Sequence, residues 1–182
     1  PVMPAATHQP TPYDGPTRDE VLAMRREFLA PSLLTYYRDP VMIVEGSMQW
    51  LFDETGRRYL DFFGGIVTVS VGHCHPRVVE KVREQVERLQ HTTTIYLHPT
   101  IAEYGRKLAS TMPANSGLEV CYFTSSGSEA NELAMLMSRL YTGNFDLIAL
   151  RNGYHGMTNQ AMGLTGLHTW KQPLLHGIGV HH

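Results

Sequence analysis

The stretch Thr124-Ser125-Ser126-Gly127-Ser128-Glu129-Ala130-Asn131-Glu132 decides the fold class of this chain. It follows an apolar run at residues 120–123, which predicts a buried strand, and it leads into a run at residues 133–137 that predicts a helix. A turn of small residues between a strand and a helix leaves backbone N–H groups free at the positive end of the helix dipole. Such turns bind phosphate. We therefore expect an α/β fold with an anion site at this turn.

The turn does not match the common phosphate or nucleophile motifs. No lysine follows Gly127, as a P-loop requires, and a single glycine excludes the dinucleotide-binding pattern. Gly127 lies between serines, which excludes the G-x-S-x-G elbow. The alternative interpretation is an ordinary helix capped by Ser126 or Ser128. The local sequence leaves both interpretations open.

Composition narrows the possible classes of protein. The 182 residues include 42% hydrophobic and 18% charged residues, which is usual for a globular protein with one core or a large piece of a bigger domain. A net charge of -2 gives no electrostatic case for nucleic acid or an anionic membrane. No apolar run is long enough to span a bilayer. Cys74 and Cys121 do not form a disulfide framework, and we expect reduced thiols.

Three segments are predicted along the chain. Residues 1–17 hold five of the eleven prolines and predict an irregular arm. Residues 18–75 predict a helix at 19–29, short antiparallel strands between 42 and 62, and a glycine-rich loop. Residues 76–182 predict the first part of a large parallel-sheet domain, which opens with a helix at Pro76.

Within the third segment, the pattern predicts a further helix at Thr100, where Thr100 and Glu103 form a capping-box pair. A strand at 120–123, a helix at 131–141 and a strand at 147–150 then form a strand–helix–strand unit. Such a unit implies parallel strands joined by a right-handed crossover.

A second candidate site follows the strand at 147–150. In an open parallel sheet, ligands gather at the carboxyl ends of the strands, so Arg151-Asn152-Gly153-Tyr154-His155-Gly156 would share an edge with the serine-rich turn. The ring of Tyr154 could lie against a planar ligand, and His155 could form a hydrogen bond near it. The alternative is a turn whose tyrosine fills the core.

Gly72-His73-Cys74-His75-Pro76 is a third candidate, because histidine and cysteine are metal ligands. Its three potential ligands lie within three residues, and no complementary cluster has standard spacing. We therefore predict a tight loop that enters a helix, and no metal.

In their order along the chain, four motifs resemble those of the class III (ω-amino-acid type) pyridoxal-phosphate aminotransferases. They are Tyr59-Leu60-Asp61-Phe62, Gly72-His73-Cys74-His75-Pro76, Ser126-Gly127-Ser128-Glu129-Ala130-Asn131 and Gly153-Tyr154-His155-Gly156. The resemblance extends from about residue 19 to the last residues. It implies the fold-type I transferase fold, with an antiparallel N-terminal segment followed by the first part of the large parallel-sheet domain.

The resemblance also implies the ligand. Gly127 and Ser128 match the positions that hold the phosphate of pyridoxal 5'-phosphate, and Tyr154 matches the residue that stacks on its pyridine ring. His155 belongs to the same motif, and Ile66 matches a loop on the substrate side. The implied reaction passes an amino group from alanine, or a related amino acid, to glyoxylate. A homodimer in mitochondria is also implied.

The family's Schiff-base lysine has no match here. The chain has three lysines, Lys81, Lys107 and Lys171, and none lies in the family's lysine context. We therefore expect an N-terminal portion of the enzyme that is inactive alone. The alternatives are another class III aminotransferase, a related phospho-lyase, or a non-catalytic truncated product.

Overall fold

A computed structural model describes residues 7–170 and 180–181. Contacts divide the chain into two compact units, Pro1–Tyr96 and Leu97–His182. The division into segments at residues 17 and 75 stays a prediction. Each unit is described by itself below.

In the first unit, helix α1 spans Arg18–Phe28, one residue from the predicted start and end. Thr17 and Glu20 fix its beginning with a capping box. The Glu20 amide donates to the Thr17 hydroxyl, and the Thr17 amide donates to the Glu20 carboxylate at 2.7 Å. Each bond satisfies a backbone donor that a helix start would otherwise leave free.

The predicted antiparallel strands are confirmed as a three-stranded meander, with strands β1 (Ile43–Ser47), β2 (Trp50–Asp53) and β3 (Arg58–Leu60) in that order. Phe52, only 2% exposed, is the apolar centre of this small sheet. The turn between β2 and β3 is organised by Asp53, whose carboxylate accepts from the Thr55 and Arg57 amides and from the Tyr59 hydroxyl. Burial alone would raise the pKa of Asp53, but these bonds outweigh it and lower the pKa to about 2.

The glycine-rich segment contains the short helical turn α2 (Gly64–Val67), and helix α3 (Pro76–Arg88) begins at the predicted proline. The Met48 and His73 backbones exchange two hydrogen bonds of 2.7 Å, so the segment is joined to the β1–β2 turn. Gly72 makes this possible. Its φ is +98°, and a Cβ there would lie 3.0 Å from Met48 Cα.

The second unit contains three helices, α4 (Pro99–Ala109), α5 (Gly127–Thr142) and α6 (Asn159–Leu164). The two-residue strands β4 (Leu147–Ile148) and β5 (Val180–His181) pair in parallel. Ala161 and Met162 of α6 and Met135 of α5 are its buried apolar residues in the described part of the chain. Among the described residues, no helix has the length and apolarity needed to cross a membrane.

Three sequence predictions for this unit need correction. Helix α4 begins at Pro99, and its cap is the His98 ring, which accepts from the Thr100 amide; the Thr100–Glu103 capping box was wrong. Helix α5 begins four residues before the predicted position. Residues 120–123 do not form a strand, because no neighbouring strand among the described residues supplies a hydrogen-bonded ladder, and Val120 is 96% exposed. The parallel pair that is present joins β4 to β5.

Candidate functional site

The serine-rich turn forms the N-terminus of the longest helix in the second unit. Ser126 is the N-cap, and its hydroxyl accepts from the Glu129 amide at 3.2 Å. The Glu129 carboxylate reaches back to accept from the Ser125 amide at 2.8 Å. In the part of the chain that the structure describes, the Gly127 and Ser128 amides have no acceptor. Ser126 therefore caps the helix, as one of the two interpretations of the sequence expected. The cap still leaves two backbone N–H groups free at the positive end of a 16-residue helix.

The space beside Gly127 is open. A Cβ built on Gly127 meets no heavy atom within 4 Å, so an incoming group can approach the backbone directly. Glycine is not required here by crowding within the protein. Its value at this position would come from the approach of a ligand.

The loop that carries Tyr154 and His155 lies against the same helix end. The Met157 amide donates to Ser128 Oγ at 3.1 Å, and Asn131 Nδ2 donates to the His155 carbonyl at 2.6 Å. Gly156, at φ +128°, approaches so closely that a Cβ would lie 2.4 Å from Ser128 Oγ. The structure thus brings together the two segments that were separate candidates in the sequence.

Tyr154 does not fill the core. It is 51% exposed, and its ring contacts Trp170 edge to face, with centroids 6.1 Å apart. The His155 ring instead turns back over its own loop, where Nε2 lies 2.6 Å from the Cβ position of Gly153. That nitrogen is buried and has no hydrogen-bond partner among the described residues.

Sequence reasoning missed the groups that support this loop. Thr165, which is fully buried, accepts from the His155 amide at 3.0 Å, and Glu132 accepts from the amides of Gln160 and Ala161 at the start of α6. Asn131 lies in the motif at residues 126–131, so its role could have been inferred from the sequence. Thr165 carries no local signal for this role, because its bond to the loop is made with His155, ten positions earlier.

Ile66 lies in the first unit, on a turn of unusual backbone. Residues Gly64, Gly65, Ile66 and Val67 all have positive φ, between 56° and 63°. Ile66 is 74% exposed, so its side chain gains little from packing. A left-handed β-branched residue is strained, and such strain is often found at functional sites.

Asp61 holds the beginning of that turn. One carboxylate oxygen accepts from the amides of Phe63 and Gly64, and the other lies 2.7 Å from His73 Nε2. The bond to His73, together with these amides, lowers the pKa of Asp61. His73, which lies in the Gly72–Pro76 motif that was considered as a metal site, is therefore hydrogen-bonded to a carboxylate. Within the described ranges, no group of three His, Cys, Asp or Glu side chains has the geometry to hold a metal.

A cavity of about 510 Å³ lies along the same helix, lined in part by Thr124, Ser125 and Glu129 at the serine-rich turn and by Leu133 and Leu136 further along α5. Gly127, Ser128, Tyr154 and His155 do not line it. The candidate site is defined by its hydrogen-bond donors at the helix end, and not by this cavity.

The fold and these motifs define a class of protein. The sequence matches the family Aminotransferase class-III over residues 35–179, and the chain belongs to that family. The predicted α/β fold of the fold-type I transferases is confirmed by solved structures. A phospholyase from Arthrobacter, in complex with phosphoethanolamine, is 34% identical with a TM-score of 0.78, over 88% of this chain and 36% of that one. An (S)-enantioselective omega-transaminase from Thermomicrobium roseum is 30% identical with a TM-score of 0.78, over 93% of this chain and 40% of that one.

Two similar curated proteins carry the name alanine–glyoxylate aminotransferase 2. The chain is 52% identical to alanine–glyoxylate aminotransferase 2 homolog 2, mitochondrial, of Arabidopsis thaliana, over 99% of this chain and 37% of that protein. It is 46% identical to the mitochondrial alanine–glyoxylate aminotransferase 2 of Homo sapiens, over 98% and 34% respectively. The chain therefore spans about a third of the length of these relatives.

Proposed function

We propose that this chain forms the cofactor-phosphate site of a pyridoxal-phosphate aminotransferase that moves an amino group from alanine, or a related amino acid, to glyoxylate. Membership of the class-III family and the names of the similar proteins support this proposal. The observation that carries it is that the Gly127 and Ser128 amides have no acceptor among the described residues, while the Ser128 hydroxyl is bonded to the loop that carries Tyr154.

The donors at this helix end fit a phosphate. Two amides have no acceptor among the described residues, the space beside Gly127 is open, and the helix dipole favours an anion there. Ser128 Oγ accepts from the Met157 amide, which leaves its own proton to donate. Three donors from two adjacent residues can therefore bind phosphate oxygens. Hydrogen bonds to a charged acceptor are the strong ones.

Tyr154 is suited to orient the ring of the cofactor. Its own ring is half exposed, whereas its backbone neighbours are held by hydrogen bonds. His155 supports the site through its backbone, because its amide and carbonyl both have partners, Thr165 and Asn131. We place Ile66 on the substrate side as a specificity residue, on the strength of its exposed, strained turn.

Bound pyridoxal phosphate supplies an electron sink for the bond changes at the α-carbon of the amino acid. The residues of this chain bind the phosphate and align the ring. Lys81 pairs with Glu84 on α3, Lys107 is exposed on α4, and Lys171 lies outside the described residues. None matches the family's lysine context. We therefore propose that the chain alone binds the cofactor without a covalent bond to lysine and does not turn over.

Three further proposals follow from the family and its members. The protein acts as a homodimer, as the family resemblance implies. It acts in mitochondria, which the names of the relatives say of those proteins. The chain contains an N-terminal arm, an antiparallel segment and part of a large cofactor-binding domain, divided at residues 17 and 75. A phospho-lyase activity is the second candidate function, favoured by the similarity to the phospholyase structure.

The test uses the complete gene product that contains this chain. With alanine and glyoxylate it is expected to form pyruvate and glycine. With phosphoethanolamine it is expected to release no phosphate. Pyruvate formation that does not depend on glyoxylate would contradict the proposed substrate pair, and phosphate release would favour the second candidate.

A further inference from the structure

The position of Tyr154 depends on its backbone. About half of the residue is exposed, and its ring contacts Trp170 at its edge, so packing covers only part of its side chain. Its two neighbours in sequence are both held, since the Gly153 carbonyl accepts from the Gly166 amide at 2.9 Å and the His155 amide donates to Thr165 Oγ1 at 3.0 Å. Residues 165 and 166 therefore control where residue 154 lies.

Thr165 holds the loop to the end of α6. Its amide donates to the Ala161 and Met162 carbonyls, which ties it to the last turn of the helix. Its hydroxyl accepts from His155 and lies 3.3 Å from the Gly156 carbonyl and 3.2 Å from the Ala161 carbonyl. The single hydroxyl proton can go to either carbonyl, so the accepting role toward His155 is always available.

Gly166 shows how close this contact is. A Cβ there would lie 1.8 Å from the Arg151 carbonyl oxygen, so no other residue fits without a shift of the backbone. On its other side, the loop is bound to α5 by Asn131, which donates to the His155 carbonyl. The backbone of His155 is thus held between two helices. Its N–H is bonded to Thr165 at the end of α6, and its C=O is bonded to Asn131 of α5.

We propose that Thr165 is the positioning residue that sets the Tyr154–His155 backbone against the N-terminus of α5, and that it thereby aligns the aromatic ring with the phosphate donors of Gly127 and Ser128. The alignment of a cofactor rests on the proposed function, whereas the control of the loop does not. Thr165 itself contacts no donor of the candidate site, and it acts through the loop.

The test compares Thr165→Val with Thr165→Ser. Valine keeps the shape and removes the hydroxyl, and serine keeps the hydroxyl and removes the methyl group. Thr158→Val is the matched control, because the Thr158 hydroxyl has no hydrogen-bond partner among the described residues. The probe is pyridoxamine 5'-phosphate, whose amine cannot form imines with exposed lysines. Affinity is measured by calorimetric titration, and the His155 amide is followed by hydrogen exchange without the probe.

We expect Thr165→Val to weaken probe binding about tenfold, the effect of a lost buried hydrogen bond, and to speed exchange at His155 by about the same factor. Thr165→Ser should restore both to within about twofold of the unaltered protein, and Thr158→Val should change neither. Rescue by serine separates the hydroxyl from the packing of the methyl group.

Two results would overturn the proposal: unchanged exchange at His155 in Thr165→Val, or equal losses in the serine and valine variants. If the unaltered protein does not bind the probe, the proposed function fails, and the exchange data alone decide whether Thr165 controls the loop. If Thr165→Val does not fold, the serine variant decides through the same two measurements. A loss of probe affinity in that variant with native exchange contradicts the proposal.

Discussion

Replacement of Ser128 by alanine tests the phosphate site most selectively. The hydroxyl accepts from the Met157 amide and is left with one proton for a ligand. A hydrogen bond to a charged acceptor contributes about 1.5–3 kcal/mol, so its loss should weaken binding of pyridoxamine 5'-phosphate by about tenfold to about a hundredfold. Met157 is 47% exposed, so water can replace the lost acceptor. The free energy of unfolding should therefore change by less than about 1 kcal/mol.

The matched control is Ser138→Ala in the same helix. Ser138 is exposed, and its hydroxyl donates only to the Ala134 carbonyl one turn earlier, so the change should leave probe affinity unaltered. Calorimetric titration and urea unfolding of the three proteins give the two quantities. If Ser128→Ala binds the probe within twofold of the unaltered protein, or if Ser138→Ala loses as much affinity, the assignment of Ser128 to the phosphate is wrong.

Two further predictions concern the first unit. Ile66→Gly should raise the free energy of unfolding in urea by up to about 1 kcal/mol, because it removes the strain of an exposed residue at φ +61°. The control Ile95→Gly, at an exposed position without positive φ, should not stabilise the protein. A loss of stability in Ile66→Gly would show that the backbone at Ile66 is not strained. Asp53 has a folded pKa of about 2, below its ordinary 3.8, so its contribution of about 2 kcal/mol is complete above pH 4 and is lost as the pH falls toward 2. The free energy of unfolding, measured between pH 4 and pH 2, should fall by this amount in the unaltered protein and in the exposed control Asp14→Asn, but not in Asp53→Asn. The same pH dependence in all three proteins would refute the contribution of Asp53.

Local chemistry was sufficient to predict several elements of the fold. Pro76 marks the start of α3 because proline fits the first turn of a helix, and the turn residues between 53 and 56 separate two strands of the meander. The small residues at 126–128 predicted free amides next to a helix, and these are present, although the helix begins at Gly127 and not at the predicted position. These predictions needed only residues that are near one another in sequence.

The wrong predictions concerned features that depend on distant residues. A strand at 120–123 requires a neighbouring strand, and apolar composition alone cannot supply one. The Thr100 capping box is a local exception, because the ring of the nearby His98 accepts from the Thr100 amide. Thr165 could not be inferred, because its role depends on α6 returning the chain to residues 153–156. The sequence identified the two candidate loops at residues 124–132 and 151–156, but not the side-chain contacts that hold the second loop in place.

The comparison of pyridoxamine 5'-phosphate with pyridoxamine tests the central claim most directly, because the two probes differ only in the phosphate group. If the Gly127 and Ser128 donors bind that group, the unaltered protein should bind the phosphorylated probe at least about tenfold more tightly, and added inorganic phosphate should compete with it. Equal affinities for the two probes would contradict the account, since the free donors at the start of α5 would then bind no phosphate.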